Sequence, residues 1–140
     1  FLLIELNVKR IITRAMGSDQ RRILEKMGVT EILSPEDEVG RNVAEMLINP
    51  DVVMCVQLPD DYEIVEIKAP KEVCGRSLKD IGLREKYSLN LVTILRKNAE
   101  IDKEYHIIGV PNSSTIVEKS DIIALFGLTK NIERFLEINK

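Results

Sequence analysis

The apolar positions in the first third of the chain switch period four times. Residues 9–15 (KRIITRA) read as a strand and 18–27 as a helix, with Ile23, Leu24 and Met27 on one face. Ser18 is placed to cap this helix, and Gly28 follows where a left-handed terminator is wanted. Residues 31–34 read as a second strand. Residues 37–48 read as a second helix, whose Val39, Val43, Ala44, Leu47 and Ile48 form a stripe expected to be buried. This βαβα order matches the second half of a doubly wound nucleotide-binding fold, without the G-x-G-x-x-G loop that cradles a phosphate in such folds.

The pattern then changes. Residues 52–58 form a nearly unbroken apolar run of strand length, and Pro59-Asp60-Asp61 breaks it, so the domain boundary is expected there. Beyond it lies a smaller α+β unit. Partial alternation over 63–69 gives a strand, and Leu78, Ile81 and Leu83 give a short helix interrupted near Gly82. Four short β segments are expected at 90–96, 105–108, 115–117 and 122–126, with a loop at 97–103 and a turn at 109–114. Thr129 is placed to cap a last helix that turns Ile132, Phe135 and Leu136 inward. The opening cluster at 1–6 reads as the end of a helix.

Composition narrows the function classes. With 140 residues, 44% of them hydrophobic, the chain can fill one ordinary core or two small ones. A net charge of -3 with interspersed signs offers no basic stripe for a phosphate backbone, so nucleic acid is not an expected partner. No apolar run approaches the roughly 20 residues that cross a bilayer, and Phe1-Leu2-Leu3-Ile4 lacks the basic flank of a signal peptide. Cys55 and Cys74 match neither C-x-x-C nor a disulfide framework, which points to reduced, structural thiols in a cytoplasmic protein.

Catalytic chemistry finds little support. Nucleophilic catalysis needs a base, and the one histidine, His106, lies in an expected strand with no Ser or Cys motif beside it. Positions 55, 74 and 106 lack the close pairs of a zinc site. Glu36-Asp37-Glu38 follows a strand, where α/β sheets bind ligands; the same acids equally suit the first turn of a helix. Arg14 at the first strand's end is the matching basic candidate for a phosphate or ribose, or a solvated charge. In the second unit, Arg84 and Asn90 could converge on a phosphate and an adenine edge beside an apolar rim of Leu78, Leu83 and Pro111. An exposed arginine and a strand-opening asparagine are the plainer alternative.

The ordered set LLIELNVKRIITRA, RRILEKMGVTEILSPEDEVG, DDYEIVEIKAP, GRSLKDIGLREKYSLNLVTILR and VEKSDIIALFGLTKNIERF resembles the RCK (regulator of potassium conductance) proteins, the TrkA- and KtrA-type subunits of bacterial potassium uptake. The resemblance implies that residues 1–58 are the latter part of an N-terminal Rossmann (RCK-N) domain with its crossover helix. It implies a complete α+β RCK-C (TrkA-C) domain over 61–140. It further implies NAD(H) or ATP/ADP binding by the intact protein, with the Gly-rich loop and the acid of the second strand absent here. Glu36 falls on a position that helps hold a monovalent or divalent cation between subunits. Leu78, Leu83, Arg84, Asn90 and Pro111 fall on positions that contact cyclic di-AMP at an RCK-C dimer interface. The implied protein is a non-enzymatic cytoplasmic regulator, a homodimer forming octameric rings, peripheral at the inner face of the membrane through a TrkH/KtrB-like transporter subunit. Alternatives are the cytosolic domain of a potassium channel or other transporter and, from another class, a fragment of an NAD-dependent oxidoreductase.

Overall fold

The computed structural model describes residues 2–98 and 104–140, and it divides the chain into two compact units, Phe1–Ala44 and Glu45–Lys140. Phe1 and residues 99–103 of the expected 97–103 loop lie outside the described residues.

The first unit holds a short helix α1 (Leu2–Glu5), strand β1 (Ile12–Arg14), helix α2 (Ser18–Lys26) and strand β2 (Glu31–Leu33), and it contains the start of helix α3 (Pro35–Ile48). β1 and β2 pair in parallel, Ile12 opposite Glu31, so α2 is the crossover that parallel strands require. Gly28 at φ +87° closes α2 as expected: the Gly28 N–H donates to the Glu25 carbonyl at 3.0 Å and the Val29 N–H to the Leu24 carbonyl at 3.1 Å. Ser18 is the first helical residue rather than the cap, which is Gly17. Two parallel strands do not make a doubly wound sheet, and the Rossmann assignment remains a matter of resemblance.

The stripe on α3 is a correction. Val39, Val43, Leu47 and Ile48 are exposed, Leu47 at 77%. Helical spacing states which residues share a face. It does not supply a surface to cover that face, and a two-stranded sheet is too small to do so.

The second unit is an α+β domain on a five-stranded antiparallel sheet of order β3-β4-β7-β5-β6. Its strands are β3 (Val52–Gln57), β4 (Tyr62–Lys68), β5 (Asn90–Lys97), β6 (Tyr105–Ile107) and β7 (Ile122–Leu128). β3, assigned by sequence to the first domain, is the edge strand beside β4. Pro59-Asp60-Asp61, read as a boundary, is a hairpin turn: Asp60 and Asp61 both sit at φ +60°, and the Tyr62 N–H donates to the Pro59 carbonyl at 3.3 Å. Positive φ at both central residues lets a two-residue loop match the twist of its strands. Thr129 is not a side-chain cap either. It opens helix α6 (Thr129–Ile138), and its N–H and hydroxyl both donate to the Asp61 carbonyl of that turn. Residues 115–117 do not join the sheet but run beside 75–77, with a bridge between Ser77 and Ile116.

One face of the sheet carries the core. Val65 and Ile67 on β4, Ile123 and Leu125 on β7, and Ile94 on β5 meet Ile132 and Phe135 of α6, all almost fully buried. Gly127 is needed on this face because a Cβ there would lie 2.4 Å from Leu89 Cδ2, and Leu89 has no exposed surface. Gly127→Ala should therefore lower stability by about 1–3 kcal/mol, the usual cost of overpacking. An unchanged urea midpoint would show that Leu89 moves aside freely.

Candidate functional site

Two short helices and a loop build the cleft that gathers the sequence candidates of the second unit. Ser77 caps helix α4 (Leu78–Ile81): its Oγ accepts the Asp80 N–H at 3.2 Å and its hydroxyl donates to Asp80 Oδ2 at 2.6 Å. That hydroxyl bond holds the Asp80 carboxyl below the usual carboxylate range. Gly82, left-handed at φ 67°, ends α4 and starts helix α5 (Leu83–Tyr87), so the chain turns sharply between Leu78 and Arg84. Across from them, the Leu78 N–H donates to the Thr115 carbonyl and the Lys79 N–H to the Ser113 carbonyl, both at 3.0 Å. These bonds satisfy backbone donors that a helix start leaves open, and they bring the 111–115 loop against α4.

Leu78, Leu83, Arg84, Asn90 and Pro111, all singled out by sequence, line this one cleft of about 670 Å³. Asn90 at the start of β5 orients the arginine: Arg84 Nε and Nη2 donate to Asn90 Oδ1 at 3.0 and 2.7 Å. The guanidinium is thus held by a neutral amide, with its full charge available to an anion. Lys79, Lys86, Asn112 and Ser113 also line the cleft and were not anticipated. The Asn112-Ser113-Ser114 run is a recognisable turn signal in which Asn112 Oδ1 accepts the Ser114 N–H at 3.0 Å, yet nothing in its composition says that it faces α4. Three cations against one acid, Glu85, beside apolar Leu78, Leu83 and Leu91 suit an anionic ligand with flat apolar parts.

The candidates of the first unit meet differently. Arg14 at the end of β1 makes an ion pair with Glu36 in the first turn of α3. Both are largely exposed, so the pair adds little stability. Glu36, Asp37 and Glu38 sit where the helix dipole favours acids, and together with Arg21, Ser34 and Arg41 they line an open cleft of about 680 Å³. No group of three potential metal ligands assembles among the described residues. The Glu36 carboxylate faces Arg14, and the sequence alone could not show that the two would meet.

Of the two free thiols, Cys55 is buried and Cys74 is half-buried. Cys55 Sγ donates to Glu63 Oε2 at 3.4 Å, and Gln57 Nε2 donates to the same oxygen at 2.6 Å. Burial first, then Glu63, pushes the Cys55 thiol up to about 11. His106 lies exposed on β6, paired across the strands with Arg96. No helix among the described residues is long and apolar enough to cross a membrane.

Most of the chain is similar to known proteins. The chain is 29% identical over 134 residues to Ktr system potassium uptake protein C of Bacillus subtilis (strain 168), covering 96% of this chain and 58% of that protein. It is 29% identical over 136 residues to protein A of the same system and organism, covering 96% and 57%. The chain thus spans a little over half the length of these relatives. Among solved structures, the RCK C domain of the potassium transport protein KtrA, in complex with cyclic diadenosine monophosphate, aligns with a TM-score of 0.43 at 24% identity, covering 71% of this chain and 98% of that one. The sequence pattern that defines the TrkA-C domain matches residues 62–140, more than half of the chain, including β4 to β7 and the whole α4–α5 cleft, and the chain belongs to the TrkA-C domain family.

Proposed function

We propose that the intact protein is a non-enzymatic regulatory subunit of a bacterial potassium uptake system, and that its TrkA-C domain binds cyclic di-AMP in the α4–α5 cleft. The carrying observation is the convergence of Leu78, Leu83, Arg84, Asn90 and Pro111 on one cleft, with Arg84 held by Asn90. A two-fold homodimer would present this cleft twice to a ligand that itself has two phosphates and two adenines. Each Arg84 would take a phosphate oxygen, and Leu78, Leu83 and Pro111 an adenine face.

In this reading the first unit, Phe1–Ala44, belongs to a Rossmann domain that binds NAD(H) or ATP/ADP in the intact protein, and the second unit, Glu45–Lys140, carries the RCK-C domain. The subunit sits in the cytoplasm at the inner face of the membrane, assembled as dimers within an octameric ring on a TrkH/KtrB-like transporter. Ligand acts by binding one ring conformation better than another, since only differential affinity can move a gate.

Calorimetric titration with cyclic di-AMP, with the dimer checked by light scattering, tests the reading. Expected is micromolar or tighter binding at one ligand per dimer. Arg84→Ala should weaken it by about 1.5–3 kcal/mol, about tenfold to 150-fold in Kd. No heat from a folded dimer would rule the ligand out. Equal affinities for the two proteins would remove Arg84 from the site.

A further inference from the structure

We propose that the TrkA-C unit carries a second ligand site, separate from the α4–α5 cleft, where four lysines around an apolar floor bind a small polyanion bearing phosphate or carboxylate groups. The site is a cleft of about 400 Å³ formed by the turn before β3, the end of β4 and the end of α6. That volume lies within the range of small-molecule pockets. Lys68 closes β4, Lys71 opens the single 3-10 turn Lys71–Val73, Lys119 lies in the turn before β7, and Lys140 follows α6. Three separate stretches of an acidic chain thus bring four cations to one place, against a single lining acid, Asp51.

These charges have no ion-pair partner among the described residues. All five ion pairs among the described residues are made by arginines. None of the four lysines has a carboxylate partner among those residues, and their hydrogen bonding there amounts to one contact, Lys68 Nζ to the Pro50 carbonyl at 3.1 Å. Mutual repulsion of ammonium groups around a low-dielectric wall is relieved by an anion, and lysine binds phosphate and carboxylate oxygens as a compact point charge. The surrounding backbone is tied down: the Lys68 N–H donates to the Asp51 carbonyl at 2.8 Å and the Ala69 N–H to the Asp121 carbonyl at 2.9 Å. Pro50, Ala69, Pro70 and Leu136 supply apolar surface for the non-ionic part of a ligand.

Cys74 lines the same cleft, half-buried, with Sγ donating to the Pro70 carbonyl at 3.2 Å. Burial, then Asp121, raises its thiol above the ordinary range, while the charge of Lys119 acts in the opposite direction. A bound anion that neutralises Lys119 should therefore make Cys74 less reactive as well as less accessible.

The test is iodoacetamide labelling of the full chain at pH 8, with Cys74 and Cys55 read separately by peptide mass spectrometry. Cys55, buried, should stay unlabelled and report that the fold is intact. Millimolar pyrophosphate or citrate should slow Cys74 labelling by about threefold or more relative to chloride at equal ionic strength, through loss of thiolate. The stronger of the two identifies phosphate or carboxylate chemistry. Protection should vanish in Lys71→Glu/Lys119→Glu at unchanged melting temperature and persist in Arg84→Ala, so this site and the cyclic di-AMP site fail independently. Equal rates in both anions and chloride, or undiminished protection in the charge-reversed variant, would overturn the proposal. If that variant does not fold, Lys119→Gln titrated calorimetrically with pyrophosphate makes the same comparison, and an affinity equal to that of the unmodified chain overturns it.

Discussion

Alanine in place of Asp121 should lower the stability of the TrkA-C unit by about 3–5 kcal/mol, the cost of removing one partner from a buried ion pair. Asp121 is 1% exposed. Its carboxylate accepts Arg96 Nε at 2.9 Å and Nη2 at 2.8 Å, and Oδ2 also accepts the Glu118 N–H at 2.7 Å. Deleting the carboxylate leaves that N–H without its acceptor and Arg96 with only the Ile116 carbonyl and Glu118. The Arg96 side chain is 25% exposed, which places the expected loss in the lower half of the range. A domain of ordinary stability holds about 5–15 kcal/mol in all, so the variant should fold but melt well below the unmodified chain. Equilibrium urea unfolding measures this, and a loss under about 1 kcal/mol would mean that water replaces the carboxylate. Adding Arg96→Met should recover part of the loss, because the second substitution removes the stranded charge.

Phe135→Ala is the second large effect, about 3–5 kcal/mol from lost burial and the cavity left behind. Phe135 has no exposed surface, and its ring meets the edge of Tyr87 at 5.0 Å and 86°. Tyr87 is the last residue of α5, three positions after Arg84, and its hydroxyl accepts Asn139 Nδ2 at 3.1 Å from beyond the end of α6. The contact thus fastens the helix carrying the cleft's arginine to the core. Phe135→Ala should reduce cyclic di-AMP affinity as well as stability. Tyr87→Phe, which keeps the ring and removes only the hydroxyl, should leave affinity nearly unchanged. If Phe135→Ala loses stability alone, α5 is held in place by its own bonds to β5, and the core does not influence the site.

Much of this was legible in the chain before any folding. The partial alternation in β4, buried at Val65 and Ile67, and the Ile132, Phe135 stripe of α6 matched the observed burial, because one buried face leaves a period in the sequence, whereas β7, buried at consecutive positions, reads as an unbroken apolar run. Gly28 and Gly82 marked helix ends because only a residue without a Cβ takes those positive φ angles cheaply. The reading failed where a local signal had two structural meanings. Pro59-Asp60-Asp61 suits a linker and a hairpin turn alike, and only the pairing of β3 with β4 decides between them. Ser18 and Thr129 are cap-type residues, but the chain enters each helix one position earlier.

What the order of residues determined by itself is the α+β character of the second unit, the helix break at Gly82, and five residues that line the candidate cleft. Tertiary structure alone decided that Pro111 reaches α4 through backbone bonds from Leu78 and Lys79, that Asn90 clasps Arg84, that Arg14 meets Glu36, and that Lys68, Lys71, Lys119 and Lys140 share one cleft. The physical reason is range. Period, capping and turn signals act within a few residues and are written in the local sequence, whereas a charge or backbone donor is satisfied by whichever group the topology brings near, at a separation that no local pattern records.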